Sequence, residues 1–245
     1  MKANAQSNAA SSAQPVAQPG DPLIVIGALA PDNTLPLSVL HDGLAVRVPR
    51  WIRVDQGDQL EIRLDGYTLY TLVVDAPAAI GDFVDWTVPA QSLPQEGRHE
   101  MDYLITASSG FQFGTEPTPI LINRTPPIYD NIPVPPRFPE EVIANGITAQ
   151  YLALHDDQVL VEVPAYLGMQ AGDRLHGFWA ASQALLPVPV SASDIARGWI
   201  ALVIPGDLIR ATGDGRHTLH YHLTSRAGFD GKHSQIATVQ VSLAS

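Results

Sequence analysis

Large apolar residues recur at every second position in short runs, and proline, glycine and aspartate break the runs about every 8 to 12 residues. Leu60, Ile62 and Leu64 alternate with Glu61, Arg63 and Asp65, the period-two pattern of a strand with one buried face. Met101, Tyr103 and Ile105 share one parity, while Glu100, Asp102, Leu104 and Thr106 share the other. Leu219, Tyr221 and Leu223 repeat that apolar face, with Thr218, His220, His222 and Thr224 opposite. Another strand begins at Ala45 and ends at Val48-Pro49, because proline cannot donate to a ladder. The one helical candidate, "TAQYLALHDD" from Thr148, has room for a turn or two. The pattern predicts an all-β protein built of antiparallel sandwiches.

The same pattern occurs twice. "GRHEMDYLITASSGF" (Gly97–Phe111) and "GRHTLHYHLTSRAGF" (Gly215–Phe229) are identical at seven of fifteen positions. Three further segments match in the same order. "LHDGLAVRVP" from Leu40 pairs with "LHDDQVLVEVP" from Leu154, and "QGDQLEIRLDG" from Gln56 with "AGDRLHGFWAA" from Ala171. "DWTVPAQSL" from Asp85 pairs with "ALVIPGDLI" from Ala201. Four anchors in order mark a duplication, and the inward set Leu60, Ile62, Leu64 then corresponds to Leu175, Gly177, Trp179. Between the copies, six prolines in "NRTPPIYDNIPVPPRFPEE" lean toward polyproline II and predict a semi-rigid linker. Its C-terminal part has the character of an edge strand, where proline is tolerated. The expected organisation is a disordered tail over 1–21, sandwiches over 22–124 and 139–245, and a Pro-rich linker over 125–138.

Composition narrows the partners. A length of 245 residues suits two domains, and 21 prolines with 19 glycines favour turns over long helices. The net charge of −11 disfavours nucleic acid and anionic membranes. With no cysteine, disulfides, thiolate metal sites and thiol nucleophiles are excluded. The first 20 residues are too poor in large apolar groups to offset the entropy of ordering. They lack the apolar run of a secretory signal, and no stretch approaches the roughly 18 to 20 apolar residues of a membrane span.

The "GRHxxxYxxTxxxGF" segment and its closing strand ("TPTPILIN" or "SQIATVQVSL") resemble the last hairpin of bacterial immunoglobulin-like tandem repeats in large surface and adhesin-type proteins. The "RTPP" junction, "VP" strand ends and "GD" turns add to the resemblance, which covers about 220 residues. It implies two immunoglobulin-like sandwiches, a secreted or cell-surface location, and a non-enzymatic role in adhesion or binding of a protein or glycan. A spacer or structural subunit of a surface, toxin or secretion-system assembly is the alternative, and an enzyme with an unrecognised site is the third and least favoured reading. Trp179 then takes the place of the buried tryptophan of such folds.

Candidate chemistry is sparse. His220 and His222 share a strand face, as zinc ligands can, but His217 has the opposite parity and no third ligand is evident, so no metal and no cofactor are expected. Arg98-His99 and Arg216-His217 could suggest acid–base groups, yet neither copy offers a nucleophile or paired carboxylates. Arg98, Arg216, Tyr103 and Tyr221 are therefore expected to be structural, each tyrosine bonding back toward its corner turn. Asp42, Asp55, Asp58, Asp156, Asp157, Asp173 and Asp214 lack the spacing of a calcium loop and read as solvated turns. Asn123 in "NRT" formally matches a glycosylation acceptor and is given no function. The candidate binding residues are Trp51, Tyr67, Tyr70, Phe111 and Phe113 at strand ends and turns, with His220 and His222 on the strand face.

Overall fold

The computed structural model describes residues 20–180 and 182–244, so most of the expected tail lies outside the described residues. The chain divides into two compact units, Met1–Ile122 and Asn123–Ser245. The first contains β1 (Ile24–Ile26), α1 (Leu37–Asp42), β2 (Leu44–Pro49), β3 (Gln59–Leu64), β4 (Tyr67–Val73), β5 (Phe83–Val88), β6 (Gly97–Thr106), β7 (Gln112–Gly114) and β8 (Thr118–Ile122). One sheet runs β1-β2-β5; the other runs β4-β3-β6-β7, with β8 also on β6. Asp65 and Gly66, both at positive φ, make the tight β3–β4 turn, the conformation Asp-Gly supplies at low cost.

The second unit contains α2 (Glu140–Asn145), β9 (Ile147–Thr148), α3 (Ala149–Leu154), β10 (Gln158–Pro164), β11 (Arg174–Trp179), β12 (Gln183–Ala184), β13 (Val188–Pro189), α4 (Ala192–Arg197), β14 (Trp199–Pro205), α5 (Gly206–Thr212), β15 (Gly215–Thr224) and β16 (Ala237–Ser242). β10 and β14 form one sheet; the other runs β12-β11-β15-β16-β9, with β13 also on β11. All four repeated segments fall on matching strands: β2 with β10, β3 with β11, β5 with β14, β6 with β15.

Alternation works as expected in both units. Leu60, Ile62, Met101, Tyr103 and Ile105 are at most 1% exposed. In the second unit Val159, Val161 and Val163 of β10 and Ile200, Leu202 and Ile204 of β14 share one core with Leu175, Trp179, Leu219, Tyr221 and Leu223 from the facing sheet, the arrangement of a sandwich. Residues of opposite parity point outward.

Two features depart from the sequence reading. The entry to each unit switches sheets and joins the second in parallel: Thr34 bridges Leu121, and Ile147 and Thr148 pair with Val241 and Ser242. The helical candidate forms α3, capped by Thr148 Oγ1 accepting from the Tyr151 amide at 3.0 Å, but α1, α2, α4 and α5 accompany it. Each of these is six or seven residues long, too short for the 3.6-residue period to be legible. The α4 helix depends on a capping box between Ser191 and Asp194.

The proline-rich stretch is engaged within the second unit. Pro127, Pro133 and Pro136 are buried, the Gln235 amide donates to Pro133 O at 2.9 Å, and Arg137 bridges Glu162 of β10.

Candidate functional site

The two "GD" turns are duplicated structural hubs. Asp58, 1% exposed, accepts from Trp51 Nε1 at 2.9 Å, the Asp55 amide at 3.0 Å and the Ser108 amide at 2.9 Å. Asp173, 3% exposed, accepts from Tyr166 Oη at 2.6 Å, the Gln170 amide at 3.0 Å and the Arg226 amide at 2.8 Å. Each carboxylate thus ties an aromatic side chain, the buried Trp51 or the half-buried Tyr166, and its own turn to the hairpin turn that follows β6 or β15. Burial alone would raise the Asp58 carboxyl, but the three donors outweigh it and hold it below the usual carboxylate range. The aspartates expected as solvated turns are here interior anchors, and Trp51, expected at a binding surface, is 2% exposed and serves one of them. Trp51 cannot meet a ligand.

The tyrosines anchor a different segment from the one expected. Tyr103 Oη donates to Asp21 O at 2.8 Å and Tyr221 Oη to Val134 O at 2.9 Å; both acceptors lie on the entry to the unit rather than at the corner turn. Asp21 and Gly20, whose carbonyl accepts from Thr115 Oγ1, therefore belong to the first unit, not to a tail. Burial pushes the Tyr221 hydroxyl up to about 12. Tyr221→Phe and Tyr103→Phe should each cost about 1 kcal/mol, read by urea unfolding. Wild-type stability for both would mean that these bonds are no better than bonds to water.

Neither Arg-His pair forms a reactive constellation. His99 Nδ1 lies 2.7 Å from Asp65 Oδ2, whose other oxygen takes the Glu100 amide. His217 Nε2 lies 2.8 Å from Gly213 O and its ring packs on Trp179. The arginines are placed at the surface rather than as fold anchors: Arg98 is exposed, and Arg216, also exposed, donates to Thr238 Oγ1 at 3.2 Å. Other acidic candidates are also occupied. Asp157 pairs with Arg210, Asp42 with His41, and Asp214 accepts from the Leu243 and Ala244 amides. Among the described residues, no group of three or more His, Asp or Glu is placed to hold a metal ion.

The remaining aromatic candidates do not converge. Tyr70 of β4 stacks on Trp86 of β5 at 4.9 Å, leaving both half-buried. Tyr67 is 77% exposed and Phe111 68% exposed, with Phe113 beside Phe111 at 6.2 Å. Tyr67 follows the β3 end where Leu64 pairs with Met101, whereas Phe111 follows the β6 end where Thr106 pairs with Gln59. These are opposite ends of a six-residue strand, about 17 to 20 Å apart.

His220 and His222 lie in a larger cluster than the sequence indicated. Facing β11 brings His176 opposite His222 and Phe178 opposite His220, and the β15–β16 connection adds His233. Alternation in "RLHGFW" carried a signal for His176 and Phe178; nothing local marked His233. Burial, then neighbouring imidazoles, hold His220 and His222 below the usual histidine range; Asp230 opposes this weakly at His222.

No family model matches the sequence, and no curated protein matches it. The fold is similar to a solved 1.5-MDa bacterial ice-binding adhesin, at 16% identity and TM-score 0.45, over 90% of this chain and 64% of that one. It is similar to a Ca2+-stabilized adhesin with which an Antarctic bacterium binds ice, at 16% identity and TM-score 0.47, over 90% and 49%. Fibronectin(III)-like modules of Clostridium thermocellum CbhA align at 8% identity and TM-score 0.36, over 90% and 93%. The chain spans less than two thirds of either adhesin structure.

Proposed function

We propose that this chain is a non-enzymatic adhesion-type module that binds a protein or glycan through residues at its turns, foremost Phe111 with Phe113 and, at the other end of the sheet, Tyr67. The supporting observation is how the polar chemistry is spent. The duplicated aspartates, tyrosines and histidines that resemble catalytic groups are bonded into the scaffold, while large apolar side chains stand in solvent at Phe111 and Tyr67. Exposed aromatics on a rigid sandwich offer contact area at small entropic cost. The surface location inferred from the tandem-repeat resemblance belongs to the same proposal.

A protein pulldown and a glycan array with the full chain should find saturable binding. Phe111→Ala or Tyr67→Ala should weaken it at least about tenfold, with unfolding unchanged. Because the two side chains lie at opposite ends of β3, one small ligand should respond to one substitution and not to the other. No saturable ligand, or binding indifferent to both changes, would reject the reading.

The second reading is a spacer or assembly subunit, favoured by the bonding of residues 133–137 to the second unit. It requires a narrow distribution of inter-domain distances by solution scattering, together with absence of any ligand.

A further inference from the structure

The outward face of β11 and β15 carries a partly buried imidazole stack. His176 and His222 are opposite in register and stack with centroids 4.7 Å apart and planes at 11°. Phe178 stacks on His220 at 5.1 Å and on His222 at 5.6 Å. His233 closes the group, 5.2 Å from His220 and 5.0 Å from His222. The Nδ1 atoms of His220 and His222 are buried without a hydrogen-bond partner, and the His222 side chain is 18% exposed. Face-to-face rings do not direct their nitrogens to a common point, so the geometry is poor for a metal.

His233 belongs to residues 225–236, which lie along β15. The Gly231 amide donates to Leu223 O at 2.7 Å and the Ser234 amide to Tyr221 O at 2.7 Å; Ser234 Oγ accepts from the Tyr221 amide at 3.0 Å. On its other side the same connection supports the proline-rich segment. Gln235 donates to Pro133 O, and a Cβ on Gly231 would lie 2.6 Å from Pro127 O. The imidazole stack and the proline-rich segment thus share one layer of chain.

Charged groups around the stack offer little compensation for a proton. β11 contributes Arg174, β15 contributes Arg216 at its far end, and the connection contributes Arg226, Asp230 and Lys232; β12, β13 and β16 contribute none. Asp230 lies 4.0 Å from His222 Nε2 and already accepts from Thr224 Oγ1 at 2.6 Å, and the proline-rich segment adds Asp130 and Arg137, both exposed. An imidazolium at His222 would be opposed by His176, His233 and His220, and a second proton on His176 or His233 would face it across about 5 Å. The first unit gives the contrast: its matching face carries Arg63 paired with Asp102 at 2.8 and 3.0 Å and Leu104 where His222 stands.

We propose that this stack is a proton-operated latch: protonation on acidification from neutral pH separates His233 from the β11–β15 face, releases residues 229–235, and loosens the proline-rich segment seated on them. His220 and His222 are depressed in the folded state, so the unfolded or open chain binds more protons. The stability they contribute is complete above their ordinary value of about 6.5 and is lost as pH falls through their folded values.

The test is amide exchange in the full chain between pH 7.5 and 5, corrected for intrinsic rates, with His233→Asn and His222→Leu alongside. His233 is exposed, so its variant should fold; His222→Leu installs the first unit's residue. In the wild type, exchange at Gly231, Ser234 and Gln235 should rise about tenfold at pH 5, while Val161 and Leu202 in the β10–β14 sheet stay protected. His233→Asn should remove most of that rise. A flat profile in the wild type, or an undiminished rise in His233→Asn, would overturn the latch, as would His220 and His222 imidazole resonances titrating at or above the ordinary histidine value.

Discussion

Trp179→Ala should lower the stability of the second unit by about 3 to 5 kcal/mol. Trp179 is fully buried, and its Nε1 donates to Thr212 Oγ1 at 3.1 Å; that hydroxyl donates in turn to Ile209 O at 2.9 Å. Truncation therefore opens a cavity and removes the donor that holds the last turn of α5. The cost also reflects an exchange of bulk between the copies. Where β3 places Ile62 and Leu64, β11 places Gly177 and Trp179. A Cβ on Gly177 would come within 3.0 Å of Leu202 and Leu185 side-chain carbons, so those leucines already fill the space next to the indole. Trp179→Leu should be rescued in part by Gly177→Ile, which restores the first unit's pair, with a favourable coupling of about 1 kcal/mol. Urea unfolding of the full chain by circular dichroism measures both quantities. A loss under about 1.5 kcal/mol for Trp179→Ala would show that the core collapses around the gap.

Asp58→Ala and Asp173→Ala should each cost about 3 kcal/mol, and about 15 °C in the melting of the affected unit. Each change leaves three donors without their acceptor: an aromatic side chain and two amides from separate turns. Asn should cost less, since its one carbonyl oxygen can still accept, so the order Ala below Asn below wild type is the diagnostic one. For Asp58 the pH dependence has a definite sign. Its carboxyl is held below the unfolded value of about 3.9, so the stabilisation is complete above that value and disappears as pH falls through the folded one. Calorimetry of the full chain at neutral pH and near pH 3 distinguishes this. If Asp58→Ala lost as much at pH 3 as at pH 7, the ionised carboxylate would not be the source.

Much of the fold was legible because a strand with one buried face writes its parity directly into the sequence. Met101, Tyr103 and Ile105, or Leu219, Tyr221 and Leu223, needed no partner to declare which way they point, and duplication identified the matching strands. Apart from α3, the short helices were not legible, since six or seven residues fall short of two periods and their caps are an ordinary serine and three prolines. Aromatic exposure was equally hidden. Trp51 and Phe111 both follow strand ends, yet one lies under the carboxylate of Asp58 and the other stands in solvent.

What the sequence determined by itself is local and periodic: two copies, their strands, their inward faces, and an acidic, cysteine-free composition. The tertiary structure decided everything that depends on residues far apart in the chain meeting in space. It turned the "GD" aspartates into interior anchors by bringing Ser108 and Arg226 to them, and directed the tyrosine hydroxyls to Asp21 and Val134. It also set His233 and His176 against the His220–His222 pair. Periodicity reports which face a side chain occupies; only the strand register and the path of the connections report what that face meets.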